Sequence, residues 1–485
     1  MASPRYRHAL LLLPLGITAA LAAYRIGARS LWLDEVYGVS LAGTDWPTAW
    51  HTITTREANM VLYYALLHYW LRLGHSEAVV RALSAVAAIF CVIPLYCLGL
   101  RLFGATHALL ASVLLSINAF FIRYAQEARG YTLLLLLTTI SSLLFIRALD
   151  RPTTGRWIAY VVVSALAVYA HLFGVWVLAV QLLGVIFLRQ APGRRWRFIA
   201  AQVAIAGLLT PIALWASRRH NALDWVPRPT LRSLAEFGDA LTGYGGPVLS
   251  ALVLGACALF LLASWLPGAR PESRKTRWSQ GFLLAWLAVP VLGTFVFSLL
   301  ITPAFSPRFL ISSLAPLALL AAGGVLALRP VGLRIAVVLA LLGFAARGRP
   351  WYVDRQKEDW RAATAYLLAA AAPGDGLVFA QTFARRPFDY YLAALRPKRV
   401  SLEPVFPAAP WGDFVLRSPG NIWTFSTWWA EHPDYRQRFW MIERLPDEGA
   451  MPEWLPGDFL ARYCLAQTAL FPHVRARLYR RCGSP

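Results

Sequence analysis

Four short stretches carry residue types that chemistry needs. Trp32-Leu33-Asp34-Glu35 sets two carboxylates side by side just past the first apolar run. Arg123-Tyr124-Ala125-Gln126-Glu127-Ala128-Arg129-Gly130-Tyr131 puts acid and base together at the mouth of a later run. Tyr169-Ala170-His171-Leu172-Phe173-Gly174 places a lone histidine between two apolar runs, and Pro303-Ala304-Phe305-Ser306-Pro307-Arg308-Phe309 places one arginine ahead of another. Taken singly, each has an ordinary reading: a solvated acidic pair, a surface ion pair, a hydrogen-bonded structural imidazole, an arginine snorkelling to an interface. Taken together they offer a carboxylate suited to take a proton from a hydroxyl. They also offer guanidiniums suited to grip a phosphate through charge-assisted, bidentate hydrogen bonds.

What brings them together is the arrangement of apolar segments. The 485 residues are 58% hydrophobic and only 15% charged, whereas soluble domains carry about 25% charged residues. That excludes a soluble enzyme, and the abundance of aromatics excludes disorder. Spanning a bilayer takes about 20 apolar residues per helix. Runs of this kind lie near 9–25, 78–100, 105–122, 131–149, 157–171, 172–188, 198–216, 247–266, 280–301, 309–328 and 332–346, eleven in all. The first has a basic front (Arg5, Arg7) but no small-residue cleavage site, so it reads as a retained helix. The fifth and sixth meet at His171 as a tight hairpin or one broken helix.

The net charge of +22 suggests nucleic acid until its placement is examined. With the N-terminus inside, the inner loops hold sixteen basic residues against two acids, and the outer loops eleven against nine. Lys and Arg concentrate on the cytoplasmic side of membrane proteins, so the charge is mainly an orientation signal and no nucleic-acid partner is expected. The four chemical stretches then share the outer face. Residues 347–485 turn Pro-, Trp- and charge-rich, without a spanning run. There a helix from Asp359-Trp360-Arg361 to Ala372, a Pro373-Gly374-Asp375-Gly376 break and a strand Leu377-Val378-Phe379-Ala380 predict an outer α/β domain. The first outer loop, about 26–77, has apolar positions at helical spacing over 46–73, as amphipathic surface helices do. Cys91, Cys97 and Cys257 fall in spans and read as buried small hydrophobes. Cys464 and Cys482 lie outside, where a disulfide is compatible with the compartment. Trp411, Trp423, Trp428, Trp429 and Trp440 are candidates for stacking on sugars, with core packing as the ordinary reading.

The chain resembles the membrane-embedded GT-C glycosyltransferases. It is most similar to the bacterial glycosyltransferase family 39 group, related to protein O-mannosyltransferases and the lipid A aminoarabinose transferase. The resemblance rests on Leu31-Trp32-Leu33-Asp34-Glu35, Leu62-Tyr63-Tyr64 through Trp70, Gly74-His75-Ser76-Glu77 with Arg81, Tyr124 through Tyr131, His171-Leu172-Phe173-Gly174 and Pro307-Arg308-Phe309. Lys357-Glu358-Asp359-Trp360-Arg361 followed by Pro373-Gly374-Asp375 resembles the start of that group's outer domain. It implies a transmembrane catalytic domain, residues 1–346, of about eleven helices, and an extracytoplasmic α/β domain, residues 347–485. The location implied is the bacterial inner membrane, with a cytoplasmic N-terminus.

The activity implied is inverting transfer of a sugar from a polyprenyl-phosphate donor to a hydroxyl on a glycan, lipid or protein acceptor. Asp34 is the expected catalytic carboxylate, with Glu35 beside it. Glu127, Arg129, Arg308, Tyr63, Tyr64 and Tyr131 are expected to hold the donor phosphate and substrate. The sequence departs from the group in two places. Asn59-Met60-Val61 stands where many relatives have His-Pro-Pro, and Ala58 stands where the aminoarabinose transferase has a phosphate-contacting lysine. That transferase's metal pair corresponds to Glu57 and His171. Two protein ligands fall short of the usual three or four, so a divalent metal stays open. The rival reading is a transporter or flippase of lipid-linked sugars, which would use the arginines but not Asp34. A catalytically silent scaffold would need neither.

Overall fold

The structure, a computed structural model, describes residues 9–187, 192–218, 226–263, 274–353, 357–395, 402–406, 428–429, 432, 437–445, 455 and 457–483. Arg5, Arg7, Trp411 and Trp423, named above, lie outside them. The chain divides into two compact units, Met1–Ile26 with Ala42–Arg355 and Gly27–Leu41 with Gln356–Pro485. The break between the two near the expected 346/347 falls at 355/356 in this division. Residues 27–41, expected with the membrane domain, group with the C-terminal residues instead, because their backbone is hydrogen-bonded there, as described below.

The first unit is helical, and each of the eleven apolar runs falls on helix. Among the described residues, six helices are long and apolar enough to cross a membrane, and up to eight if each bent pair is one span. The other three runs are the shorter apolar helices Leu12–Ala23, Thr154–Ala170 and Leu172–Ile186. At the fifth–sixth junction His171 adopts extended backbone (φ −167°, ψ 132°) and ends the first of the two helices.

The two bent pairs have local causes. Ala105–Ser116 and Ala119–Ala125 meet at 63°, where the Asn118 side chain accepts the Phe121 N–H at 3.0 Å and so starts a new helix. Leu231–Thr242 and Gly246–Leu262 meet at 79°, across Gly243 (φ 112°) and Tyr244 (φ 59°), a left-handed stop. Helix Leu314–Ala327 packs against Gly246–Leu262 through Gly323 and Gly324. A Cβ on Gly324 would lie 1.8 Å from the Ala256 carbonyl oxygen, so only glycine lets the backbones approach this closely.

The 46–73 stretch forms helices Trp46–Arg56 and Val61–Trp70, as its periodicity predicts. Asp45 caps the first, accepting the Thr48 N–H at 3.1 Å. Ala49, Ile53, Tyr63, Tyr64 and Leu67 are buried, while Trp50, Leu66, Tyr69 and Leu73 are exposed. Cys91 and Cys257 are buried as expected, but Cys97 is only half-buried because it points partly off its helix's packed face.

The second unit holds a five-stranded sheet: β1 Gly376–Phe379, β2 Glu403–Phe406, β3 Arg438–Arg444, β4 Tyr463–Phe471 and β5 Val474–Arg481. The order is β2-β1-β3-β5-β4. β1 runs parallel to both β2 and β3, while β5 is antiparallel to β3 and β4. Helix Trp360–Ala370 precedes β1, capped by Asp359 through the Ala362 N–H at 3.0 Å. Helix Arg385–Leu395 connects β1 to β2. Trp429 and Trp440 are fully buried, and Trp428 packs against the core cluster of Trp429, Phe439, Phe459, Tyr463 and Tyr479. Trp429 and Trp440 build the core and are not available for stacking on a sugar, while Trp428 stays half-buried. Cys464 and Cys482 form a disulfide joining the ends of the β4–β5 hairpin.

Candidate active site

In the first unit the three chemical stretches converge. Helix Ala119–Ala125 runs into the turn Gln126–Gly130, and helix Tyr131–Asp150 leaves it. The turn is fixed from several sides. Gln126 Nε2 donates to the carbonyls of Leu21 and Tyr24, both at 2.9 Å. Ser84 Oγ donates to the Arg129 carbonyl at 3.0 Å and exchanges a hydrogen bond with Tyr63 Oη at 3.0 Å. Thr132 Oγ1 donates to the Ser84 carbonyl at 2.8 Å. A Cβ on Gly130 would sit 3.0 Å from the Ala170 oxygen and 3.1 Å from Tyr63 Cβ, so the turn is wedged between two helices.

This frame sets the side chains. Arg129 Nη1 donates to Tyr64 Oη at 3.0 Å. Both tyrosines are fully buried, so Tyr63 holds the turn through Ser84 and Tyr64 directs the guanidinium. Glu127, only 5% exposed, faces Arg123 across 3.5 Å between Oε1 and Nε. Arg123 is caged by aromatics. Its guanidinium carbon lies 5.7 Å from the Tyr124 ring, 5.8 Å from Tyr244 and 5.2 Å from Trp351. Tyr244 stacks on Trp351 at 4.0 Å. Such face-on contacts favour the cation.

Tyr131, His171 and Phe309 form an aromatic wall, with His171 at 5.8 Å from Tyr131 and 5.2 Å from Phe309. Arg308 lies 5.5 Å over the Phe309 ring. Arg129 and Arg308 both lie within electrostatic reach of His171, and Arg308 and Glu127 within that of Tyr124. Glu127, Arg129, Arg308, Tyr63, Tyr64, Tyr131 and His171, distant in sequence, therefore share one neighbourhood.

The metal expectation fares differently. His171 is fully buried, and its Nδ1 accepts the Phe173 N–H at 3.2 Å. Asn59 Nδ2 stands 3.5 Å from its Nε2 and Asn59 Oδ1 accepts the Leu172 N–H at 3.4 Å. Glu57 ends helix Trp46–Arg56, half-buried. Among the described residues no group of three or more His, Cys, Asp or Glu gathers to hold a metal ion. One imidazole nitrogen already engaged by backbone, plus one carboxylate, does not fit the donor set of a metal site.

Asp34 and Glu35 belong to the second unit, in the first turn of helix Leu33–Ala42. Glu35 is fully buried, and its Oε2 accepts the Trp32 N–H at 3.3 Å, the reach-back half of a capping box. Asp34 is half-buried in the same turn. The helix N-terminus favours negative charge on both. Arg81 is buried and donates to the Ile26 carbonyl at 2.9 Å.

Sequence reasoning missed Ser84, Asn59, Tyr244 and Trp351. A serine in a spanning run carries no signal until the tyrosine and carbonyl it joins are folded beside it.

The fold is similar to that of the membrane-embedded GT-C glycosyltransferases, and the apolar helices mark the chain as an integral membrane protein. Similar solved structures include ArnT from Cupriavidus metallidurans bound to undecaprenyl phosphate. It is 13% identical, with 98% of this chain and 99% of that chain covered, at a TM-score of 0.63. The apo oligosaccharyltransferase of Archaeoglobus fulgidus is 12% identical over 84% of this chain and 65% of that one, at a TM-score of 0.52. Residues 56–217 match the sequence profile of the dolichyl-phosphate-mannose-protein mannosyltransferase family. No curated protein sequence matches the chain significantly.

Proposed function

We propose that this protein is an inverting glycosyltransferase that moves a sugar from a polyprenyl-phosphate donor to a hydroxyl acceptor on the extracytoplasmic face of the bacterial inner membrane. The observation that carries the reading is that Arg129, 6.0 Å from the Tyr131 ring, and Arg308, 5.5 Å from the Phe309 ring, come from separate loops to one aromatic wall, in which Tyr131 and Phe309 lie 6.5 Å apart. Two guanidiniums at the edge of apolar helices suit a lipid phosphate. A profile described by dolichyl-phosphate-mannose, over the residues that include Arg129, and a similar fold crystallised with undecaprenyl phosphate both support that donor class.

In this reading Asp34 takes the proton from the acceptor hydroxyl, whose oxygen attacks the anomeric carbon opposite the phosphate. The bond from that carbon to the phosphate oxygen breaks, and configuration inverts through an oxocarbenium-like transition state. A glycosidase needs a second carboxyl group to protonate its leaving oxygen. A lipid phosphate departs as a stable anion, so Arg129 and Arg308 can take that acid's place. Glu127, Tyr64 and Tyr131 shape the surroundings of the donor. Glu35, buried and bonded to backbone, supports the turn and is not the base.

The test is transfer in lipid nanodiscs from radiolabelled polyprenyl-phosphate mannose, glucose and arabinose to acceptors in the source membranes. Asp34→Asn should lose at least about 100-fold in rate, the range of general-base contributions. Wild-type transfer by that variant would refute the mechanism.

A further inference from the structure

In open α/β sheets a ligand usually occupies the crevice outside the carboxyl ends of the parallel strands, where the strand order reverses. In the second unit this point lies between β1 and β3, since the chain leaves β1 towards β2 on one side while β3 flanks it on the other. The crevice is taken by the chain itself. Gln381, just past β1, closes the gap: its Nε2 donates to the Arg444 carbonyl at 3.1 Å and its Oε1 accepts the Arg444 N–H at 2.9 Å.

Four side chains of this unit turn towards residues 27–41. Tyr391, on the helix that follows β1, accepts the Leu31 N–H at 2.6 Å. Arg361 donates to the Ala28 carbonyl at 2.8 Å, and Lys357 Nζ lies 3.4 Å above the Trp32 ring. At the centre is Glu358, 3% exposed. Its Oε2 accepts the Leu33 N–H at 2.9 Å and the Trp360 indole N–H at 2.6 Å, while its Oε1 pairs with the Arg444 guanidinium.

Leu33 opens the helix that carries Asp34, so its N–H is one of the donors that a helix start leaves without an intrahelical acceptor. A carboxylate is the strong acceptor for such a donor. Glu35 takes the Trp32 N–H and Glu358 the Leu33 N–H, so two carboxylates hold the turn from which the third projects. Glu358 reaches that turn from the far end of the sequence, already fixed by Trp360 and Arg444.

We propose that Glu358 is the positioning residue for Asp34. The crevice that would receive a diffusible ligand instead receives the acid-bearing segment, and the Glu358–Leu33 hydrogen bond sets the direction of its first turn. The proposal rests on the reading of Asp34 as the base. Misplacing a reacting group by about 1 Å can cost about 100-fold in rate, so loss of this bond should act on turnover and leave donor binding alone.

Full-length wild type, Glu358→Ala, Glu358→Gln and Asp34→Asn would be compared in nanodiscs. The readouts are kcat and KM with the radiolabelled polyprenyl-phosphate sugars above, and hydrogen exchange at the Leu33 amide. Glu358→Ala should lower kcat about 10- to 100-fold with KM for the donor within about 3-fold, and should speed Leu33 exchange. Glu358→Gln, whose amide oxygen still accepts the Leu33 N–H, should recover most of kcat and of the exchange protection. Wild-type turnover and exchange in Glu358→Ala, beside an inactive Asp34→Asn, would overturn the proposal alone. So would a Glu358→Gln variant as slow as Glu358→Ala. Normal turnover by Asp34→Asn would instead overturn the reading on which the proposal rests.

Discussion

Replacing Arg123 with methionine keeps most of its length and removes its charge beside Glu127. The two groups are 3.5 Å apart, with side chains 17% and 6% exposed. At an effective dielectric near 20, a separation of that size corresponds to a gross attraction of about 5 kcal/mol. Residual exposure of Arg123 and the further interactions of Glu127 reduce what its removal costs. Contacts of the guanidinium with Tyr124, Tyr244 and Trp351 add about 0.5–1 kcal/mol each in favourable geometry. Arg123→Met should therefore destabilise the protein by about 2–3 kcal/mol, somewhat below the figure for breaking a fully buried pair. Glu127→Gln should cost less, since Arg123 retains its aromatic cage and the Tyr244 hydroxyl at 3.3 Å. In the double variant no charge is stranded, so its cost should fall well below the sum of the two. The measurement is a double-mutant cycle by SDS-driven unfolding in mixed micelles. Costs that add to within about 0.5 kcal/mol would mean the two side chains are not coupled, and would refute the pairing of Glu127 with Arg123.

Two other outcomes follow from packing and burial. Gly324→Ala puts a Cβ 1.8 Å from the Ala256 carbonyl oxygen. The resulting separation of the two helices should cost about 1–3 kcal/mol, outweighing the roughly 1 kcal/mol that alanine gains in helix propensity; a thermal midpoint at or above wild type would contradict this. Burial raises the Asp389 carboxyl above its usual range, partly offset by Arg385, whose Nε lies 3.1 Å away. A carboxyl raised in the folded state binds its proton more tightly there. Its stabilising contribution is thus full below the ordinary value near 3.8 and is lost as pH rises through the raised one. Thermal midpoints of Asp389→Asn should gain on wild type across that window, and a difference independent of pH would count against the burial argument.

Much of the architecture was legible in the chain. Apolar runs found their helices because hydropathy is a local property that a bilayer reads directly. The amphipathic pair at 46–73, the Asp359-capped helix and strand β1 were legible for the same reason: periodicity, a capping side chain and a Pro-Gly break act within a few residues. Span counting was weaker where length failed. Helix Leu12–Ala23 is short, and Asn118 bends what hydropathy alone reads as one run over 105–122. For the site, the residues with charge in apolar surroundings were visible as anomalies. Glu127, Arg129 and Arg308 stood out because a boundary charge needs a partner.

Residue types and hydropathy by themselves determined that this is a polytopic membrane protein with a separate α/β portion, and which few charges could do chemistry. Only the tertiary structure decided what those charges touch. Glu35 was only the acid beside Asp34 until its carboxylate was found on the Trp32 N–H. Glu57 and His171 looked like a metal pair until His171 was found bonded to Phe173 and Asn59. Glu358 looked like one acid in a charged stretch until it met Leu33, 325 positions away. Hydropathy is carried by each residue alone, whereas a hydrogen bond exists only between two, and its second partner is chosen by the fold.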